Sequence, residues 1–175
     1  MVWPSSNNVP NCDRPGFPTR GQPKMTFRYA VIDLASTPAL RPLVPKLMSS
    51  VAEPLLARNA ALPLLEVGPW IVNPEDASDV ARILTSFAPD TPWGYYIHAD
   101  IDIVSLRQAL RKFNPATLEG TPREVLFRYW DPRVLRLFLT HASPVQRGRF
   151  MAWMARIEWP DGTVLLNETV AEFGS

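Results

Sequence analysis

The clearest pattern of apolar and polar positions surrounds Asp131, where the period changes once. Side chains alternate in direction over residues 124–130, which predicts a strand. Asp131 and Pro132 then supply a helix N-cap and a first-turn proline. The apolar residues that follow share one helical face: Val134, Leu135, Phe138 and Leu139. The stretch therefore predicts strand, cap and helix, with Arg128 as a single guanidinium in an otherwise aromatic strand.

The remaining chain predicts short strands that alternate with short helices. Strands are predicted at residues 27–34, 53–56, 70–72 and 93–98. A proline-rich connection is predicted between the strands at 53–56 and 70–72. Helices are predicted after Thr37, a candidate cap (this helix broken by prolines and partly 3₁₀), over residues 78–87, after Asp102 and after Ser143. One hairpin is predicted to join residues 116–119 to 124–130. Residues 151–159 are ambiguous between helix and strand, and their pairing with 163–167 across Pro160-Asp161-Gly162 favours a second hairpin. This predicts an α/β (mixed α+β) single domain, a mixed β-sheet with short amphipathic helices packed on it.

Composition divides the chain into a domain and two ends. Residues 1–25 contain five prolines and no apolar period, which predicts an extended or disordered N-terminal arm, with Met25 as a candidate biological start. The domain is predicted over residues 26–170. Residues 171–175 have the composition of a cloning linker.

Charge and cysteine content exclude several classes of protein. The net charge is +1, which gives no general attraction to nucleic acid or membrane. Charge is uneven, however: residues 123–156 contain seven arginines and only two acidic residues. Cys12 is the only cysteine, so neither an intramolecular disulfide nor a thiolate zinc site can form. With no apolar run near the ~20 residues of a membrane span and no signal peptide, a cytoplasmic location is expected.

The run Leu126 to Leu139, LFRYWDPRVLRLFL, resembles the signature of the type VI secretion effector chaperones, also called effector adaptors, a family first classed as a domain of unknown function. Weaker similarities occur in the same order at residues 29–33, at Gly68-Pro69-Trp70, at Trp93-Gly94 and at residues 105–111. The resemblance spans residues 27–159. It implies a Gram-negative bacterial, cytoplasmic chaperone that binds a cognate effector toxin, keeps it soluble and helps load it onto a VgrG-type spike protein.

The resemblance also directs attention to particular residues. The motif residues, expected to be largely structural, are Arg128, Trp130, Asp131, Pro132 and Arg133. The candidates for effector contact combine aromatic and basic side chains: Trp93, Tyr95, Tyr96, Arg128, Trp130, Arg133, Arg136 and Phe138. We expect them to receive an N-terminal or hydrophobic effector segment.

Arg128 needs a partner, because an unpaired buried charge costs several kcal/mol. Asp131 is the local candidate, and Asp33 and Glu66 are the distant ones. An ion pair at the strand–helix corner is favoured over ligand contact, and Arg128→Ala is expected to lose the folded state or solubility first.

Catalytic motifs are scarce. The sequence contains neither a phosphate-binding glycine loop nor a Gly-x-Ser-x-Gly elbow, so no enzyme activity, cofactor or metal is expected. The alternative is a small metal-dependent or hydrolytic enzyme that uses His98, Asp100 and Asp102, whose alternating side chains could face one ion. A simpler interpretation is that Asp102 caps the next helix and Asp100 solvates the loop. A structural subunit is a third, weaker hypothesis.

Overall fold

Short strands and short helices alternate along the chain, as the apolar pattern predicts. The computed structural model describes residues 26–48, 52–56, 61–117 and 120–167. The strands are β1 (Phe27–Asp33), β2 (Ala52–Pro54), β3 (Pro69–Val72), β4 (Gly94–Ala99), β5 (Pro115–Thr117), β6 (Glu124–Leu126), β7 (Arg156–Glu158) and β8 (Val164–Leu166). The helices are a 3₁₀ helix (Pro38–Leu43) and α1 (Val44–Met48), α2 (Leu62–Val67), α3 (Ser78–Ser86), α4 (Ile103–Arg111), α5 (Pro132–His141) and α6 (Pro144–Met151).

Six strands form one sheet in the order β2-β3-β1-β4-β7-β8, and β5 and β6 form a separate hairpin. Each neighbouring pair is antiparallel. The longest strand, β1, is central and pairs with both β3 and β4. The chain is thus a single α+β domain, which confirms the predicted fold class.

Helices cover both faces of the sheet, because its central strands are apolar on both sides. Tyr29 and Val31 of β1 face a core shared with α4, α5 and α6. Ala30 and Ile32 face a second core shared with the 3₁₀ helix, α1, α2 and α3. Strands buried on both faces read as continuous apolar runs, which explains the pattern of β1.

Gly94 accounts for the Trp-Gly pair at the start of β4. Its φ is +144°, a conformation that L side chains rarely adopt. A Cβ atom at this position would lie 1.8 Å from the Val31 carbonyl oxygen. Only glycine therefore permits β4 to approach β1 this closely.

The predicted caps and hairpins are mostly confirmed. The side chains of Asp102, Asp131 and Ser143 accept hydrogen bonds at the starts of α4, α5 and α6. Both hairpins form, β5 with β6 and β7 with β8. The prolines after Thr37 produce a 3₁₀ helix followed by α1, as expected.

Three local predictions are wrong. Thr37 does not cap the 3₁₀ helix through its side chain; its hydroxyl instead donates to the Asp33 carbonyl at 2.8 Å. Helix α2 lies in a segment predicted only as a proline-rich connection, because Pro63 stands in its first turn, where proline is tolerated. The strand predicted over residues 124–130 ends at Leu126. The predictions for residues 1–25 and 171–175 lie outside the described residues.

Candidate functional site

Two buried carboxylates organise the junction between β6 and α5. The Arg128 guanidinium lies 3.1 Å from Asp33 Oδ2 and 4.0 Å from Asp131 Oδ2. Arg133 donates through Nε and Nη2 to the two carboxylate oxygens of Asp131, at 3.0 and 2.8 Å. We call these four residues the motif corner. Because Asp33 ends β1, the corner joins the central strand of the sheet to the start of α5.

Further hydrogen bonds hold both carboxylates. Asp131 accepts from the backbone amide of Arg133 at 3.0 Å, which makes it the N-cap of α5. Burial opposes ionisation of Asp131, but the hydrogen bonds and charge of Arg133 outweigh it and lower the pKa of this carboxyl below its ordinary value. Asp33 accepts from the Ala35 amide and the Ser36 hydroxyl, both at 3.0 Å. The corner therefore satisfies its carboxylates within the chain.

Arg128 has the predicted partners but different surroundings. The chain leaves the strand after Leu126, and the Asp131 amide donates to the Arg128 carbonyl at 3.0 Å, closing a turn. Arg128 thus lies outside the strand, and 47% of its side chain is exposed. The buried charges of the corner are the carboxylates, with Asp33 only 1% exposed, rather than the guanidinium.

Aromatic rings fill the space behind the corner. Tyr129 packs edge-on against Trp130 and Phe150, with ring centroids 5.3 and 5.9 Å apart. Phe127 packs edge-on against Phe138 at 5.0 Å. Edge-to-face pairs at these separations add to the stabilisation from burial alone. The aromatic residues of the motif thus support the corner from inside the protein.

An open groove runs along α5 to the start of α6, on the outer side of this cluster. Its volume is about 410 Å³. All but two of its seven lining residues, His141 and Gln146, are apolar. The seven are Phe127, Val134, Leu137, Phe138, His141, Ala142 and Gln146. We call this set the helical groove. Leu137 is 64% exposed, and nearby in the chain Val145 of α6 is 65% exposed. Two large aliphatic side chains therefore stand in solvent on these two helices.

The two helices also carry charge of one sign. Residues 132–151 contain four arginines and neither aspartate nor glutamate: Arg133, Arg136, Arg147 and Arg149. All four are exposed. Arg136 is anchored, since it bonds Asp161 at 2.6 Å and lies 4.6 Å from the Trp159 ring centroid. The apolar groove therefore lies on a basic surface.

The predicted effector-contact residues divide into two groups. Four aromatic residues are at most 7% exposed and pack within the cores: Trp93, Tyr95, Tyr96 and Trp130. The motif residue Pro132 is also buried. The others lie at the surface, Arg128, Arg133 and Arg136 with exposed side chains and Phe138 half-buried in the groove.

Sequence reasoning missed most of the helical groove. Of its seven residues only Phe138 was among the predicted contacts. One feature of the sequence indicates part of it: Leu137 lies outside the apolar face predicted for α5, which predicts an exposed leucine on this helix. Phe127, which precedes α5, and Gln146 of α6 are far apart in the sequence and line the same groove only because of the tertiary packing.

A second polar cluster lies on the opposite face of the sheet, around His98. Its Nε2 lies 2.8 Å from Glu158 Oε2, and its Nδ1 lies 3.4 Å from Arg156 Nη2. Burial lowers the pKa of His98; the hydrogen bond to Glu158 raises it, while the charge of Arg156 lowers it further. A neutral ring with its proton on Nε2 satisfies both contacts, donating to Glu158 and accepting from Arg156.

Other side chains complete this cluster. Arg28 bonds Glu158 at 2.6 Å, and its guanidinium carbon lies 3.6 Å from the Tyr96 ring centroid. Burial opposes ionisation of Glu158, but the hydrogen bonds from His98 and Arg28 lower its pKa. Long charged side chains thus cover β4 and β7 on this face.

The enzymatic alternative required His98, Asp100 and Asp102 to act together. Asp102 accepts from the Val104 and Ser105 amides, both at 3.0 Å, as the cap of α4. His98 contacts Glu158 instead of either aspartate. Within the described residues, no three His, Cys, Asp or Glu side chains are grouped as metal ligands.

Comparisons place the chain among known sequences. Residues 28–149 match the family described as a domain of unknown function (DUF4123). Neither the curated proteins nor the solved structures contain a significant match. Among the described helices, none has the length and apolar character to cross a membrane. The matched region includes β1, the motif corner and the helical groove, and the chain belongs to the DUF4123 family.

Proposed function

We propose that this protein is a cytoplasmic chaperone, or adaptor, for one type VI secretion effector. It binds a segment of the toxin, keeps it soluble and helps load it onto a VgrG-type spike. Its role is binding rather than catalysis. The resemblance of the motif run to that family of chaperones is the starting point for the proposal.

The observation that carries the proposal is the open apolar groove on two helices whose charged residues are all arginines. Exposed Leu137 and half-buried Phe138 offer a surface that an apolar segment can cover. The arginines of α6, Arg147 and Arg149, can pair with acidic residues that flank such a segment, which would guide association and orientation. An amphipathic helix laid into a groove is an established mode of recognition that uses these features.

Capture from the native cytoplasm tests this proposal when variants are compared. Tagged wild type is expected to retain one stoichiometric partner identified by mass spectrometry as a multidomain toxin or a spike protein. Leu137→Glu places a charge in the groove and is expected to release that partner. Leu62→Glu changes a leucine of α2 that is also largely exposed, 53% against 64% for Leu137, and should keep the partner bound.

Co-expression then separates chaperoning from mere attachment. The captured toxin should be soluble with wild type and with Leu62→Glu, and should aggregate with Leu137→Glu. Capture that is equal in all three proteins would contradict a role for the groove, and a partnerless monomer would contradict the adaptor function itself.

The enzymatic alternative receives less support from the geometry. Both ring nitrogens of His98 are engaged, by Glu158 and by Arg156, so neither is directed to a substrate or ion. Metal content after purification, compared between wild type and His98→Ala, decides this alternative. A bound metal that is lost from a well-folded His98→Ala protein would favour the enzyme.

A further inference from the structure

Among the described strands, β8 forms one outer edge of the sheet. Only alternate residues of its segment use their backbone groups to pair with β7. The Trp159 amide donates to the Thr163 carbonyl and the Asn167 amide donates to the Ala155 carbonyl, both at 2.9 Å. Residues 163, 165 and 167 therefore face β7. Because antiparallel strands alternate, the N–H and C=O groups of Val164 and Leu166 point away from the sheet.

The opposite edge of the sheet, β2, is protected in ways that β8 is not. Strand β2 contains Pro54 and is buried throughout. The Pro54 carbonyl accepts from Arg107 Nε at 2.8 Å, and the Leu55 carbonyl accepts from Asn114 Nδ2 at 2.9 Å. Residues 163–167 contain neither charge nor proline, the usual devices that block edge pairing. The two edges thus differ in their readiness to accept another strand.

The ends of β8 are already fixed in an extended conformation. At one end Asp161 accepts from the Thr163 amide and hydroxyl, at 2.9 and 2.6 Å. At the other end Asn167 donates to the carbonyls of Met151 and Met154, at 2.9 and 3.0 Å. A strand held at both ends loses little conformational entropy when a partner binds.

Side chains beside the open edge indicate the chemistry of that partner. Val164 is 47% and Leu166 is 61% exposed. The register places Leu166 next to Arg156 and Val164 next to Glu158. Glu158 is engaged by Arg28 and His98, whereas Arg156 is exposed and donates to neutral His98 instead of a carboxylate. The surface beside β8 is therefore apolar and carries a positive charge that an acidic group would complement.

We propose that β8 is a strand-addition site for an extended segment of a partner protein. The segment carries two aliphatic side chains at alternate positions, which cover Val164 and Leu166, and a carboxylate beyond the one that covers Leu166, because the register places Arg156 next to Leu166. Main-chain hydrogen bonds to the open edge provide affinity, and the side chains provide specificity. A second copy of this chain fits less well, since residues 163–167 contain no carboxylate to offer Arg156. The site goes beyond the proposed function, because it lies on the opposite face of the sheet from α5.

Amide hydrogen exchange tests the open edge in the full chain. In the free protein, the Val164 and Leu166 amides are expected to exchange at least tenfold faster than those of Leu165 and Asn167. Slow exchange at both residues without any ligand would mean that another part of the chain, or a second copy, already occupies the edge. That result would overturn the proposal.

A synthetic probe tests the chemistry of the site. The probe is a blocked, fluorescent peptide, Thr-Val-Thr-Val-Thr-Glu-Thr, in which both valines and the glutamate share one face. Binding is expected to protect the Val164 and Leu166 amides. Leu166→Lys should weaken binding at least tenfold, and the matched variant Leu62→Lys should leave it unchanged.

Two further arms isolate the backbone and the charge. A peptide N-methylated at every residue has no N–H group to donate to the edge and should not bind; equal binding would show a side-chain patch and overturn strand addition. Arg156→Gln should abolish the preference of wild type for the glutamate peptide over its glutamine analogue. Absence of wild-type binding up to about 1 mM peptide, an affinity of roughly 4 kcal/mol, would also overturn the proposal.

Discussion

The motif corner and the helical groove share one stretch of chain but use it in opposite ways. In the corner, Asp33 and Asp131 are buried, and both arginines bond them. In the groove, Leu137 stands 64% exposed on a helix that this corner starts. The charged groups of the corner are paired with one another, whereas the groove leaves apolar side chains exposed.

This difference separates the residues of the motif run from the residues that are proposed to bind a partner. Buried, paired carboxylates determine where α5 begins and how it lies against β1. The groove then depends on α5 being held in place, although none of the four corner residues lines it. Disruption of the corner should reduce stability and binding together, whereas disruption of the groove should reduce binding alone.

The largest effect is expected at Asp131. Asp131→Ala removes the N-cap of α5 and both bonds to Arg133, and should lower the free energy of unfolding by about 2 kcal/mol. For a domain of this size that corresponds to a fall in Tm of about 4–8 °C. Asp131→Asn retains a capping oxygen and should lose about half as much. Urea unfolding of the three proteins measures the difference, and an unchanged midpoint for the alanine variant would refute the structural role.

Leu137→Glu should have the opposite effect, reducing partner binding while leaving stability nearly unchanged. Its free energy of unfolding is expected to stay within about 0.5 kcal/mol of wild type, because the side chain is exposed. Partner affinity should fall at least tenfold, or about 1.4 kcal/mol, because a carboxylate then occupies an apolar groove. Urea unfolding and calorimetric titration with the purified partner give the two values. A stability loss as large as that of Asp131→Ala would show that the groove is part of the core.

Arg128→Ala should have a smaller effect than its place in the motif suggests. The guanidinium is half exposed, and Asp33 keeps its bonds from Ala35 and Ser36. We expect a loss of about 1 kcal/mol, reduced further at high salt. Thermal unfolding at two ionic strengths measures it, with Arg128→Lys as the charge-preserving control. Complete loss of the fold would restore the original expectation from the sequence.

The smallest effect is a pH dependence from His98. The pKa of this residue is lowered in the folded state from its ordinary value of 6.5. As the pH falls, the unfolded chain therefore binds the proton at a higher pH than the folded one. The contribution of His98 to the free energy of unfolding is complete above about pH 6.5 and declines as the pH falls below it. Urea unfolding between pH 7.5 and about 5 should show this slope in wild type and a flatter one in His98→Gln. Removal of the other imidazole in His141→Gln is the control, and equal slopes in wild type and His98→Gln would contradict the prediction.

Local signals predicted much of the fold and little of the groove. Asp102, Asp131 and Ser143 are caps in the structure because a capping bond depends on residues one to three positions away. The predicted strand end at residue 130 was wrong because pairing with the β5 segment ends at Asn114, whose carbonyl accepts the Phe127 amide at 2.8 Å, and the chain then turns. Alternation alone contains no information about such a distant partner.

By itself the sequence determined the fold class, the caps at Asp102, Asp131 and Ser143 and the two hairpins, since each depends on short-range pattern. Only the tertiary structure decided that Arg128 pairs with Asp33, 95 residues away, and that the carboxylates are buried rather than the guanidinium. It alone decided that Trp93 and Tyr95 are core. The reason is physical: periodicity shows which side chains share a face, but burial depends on which other elements cover that face.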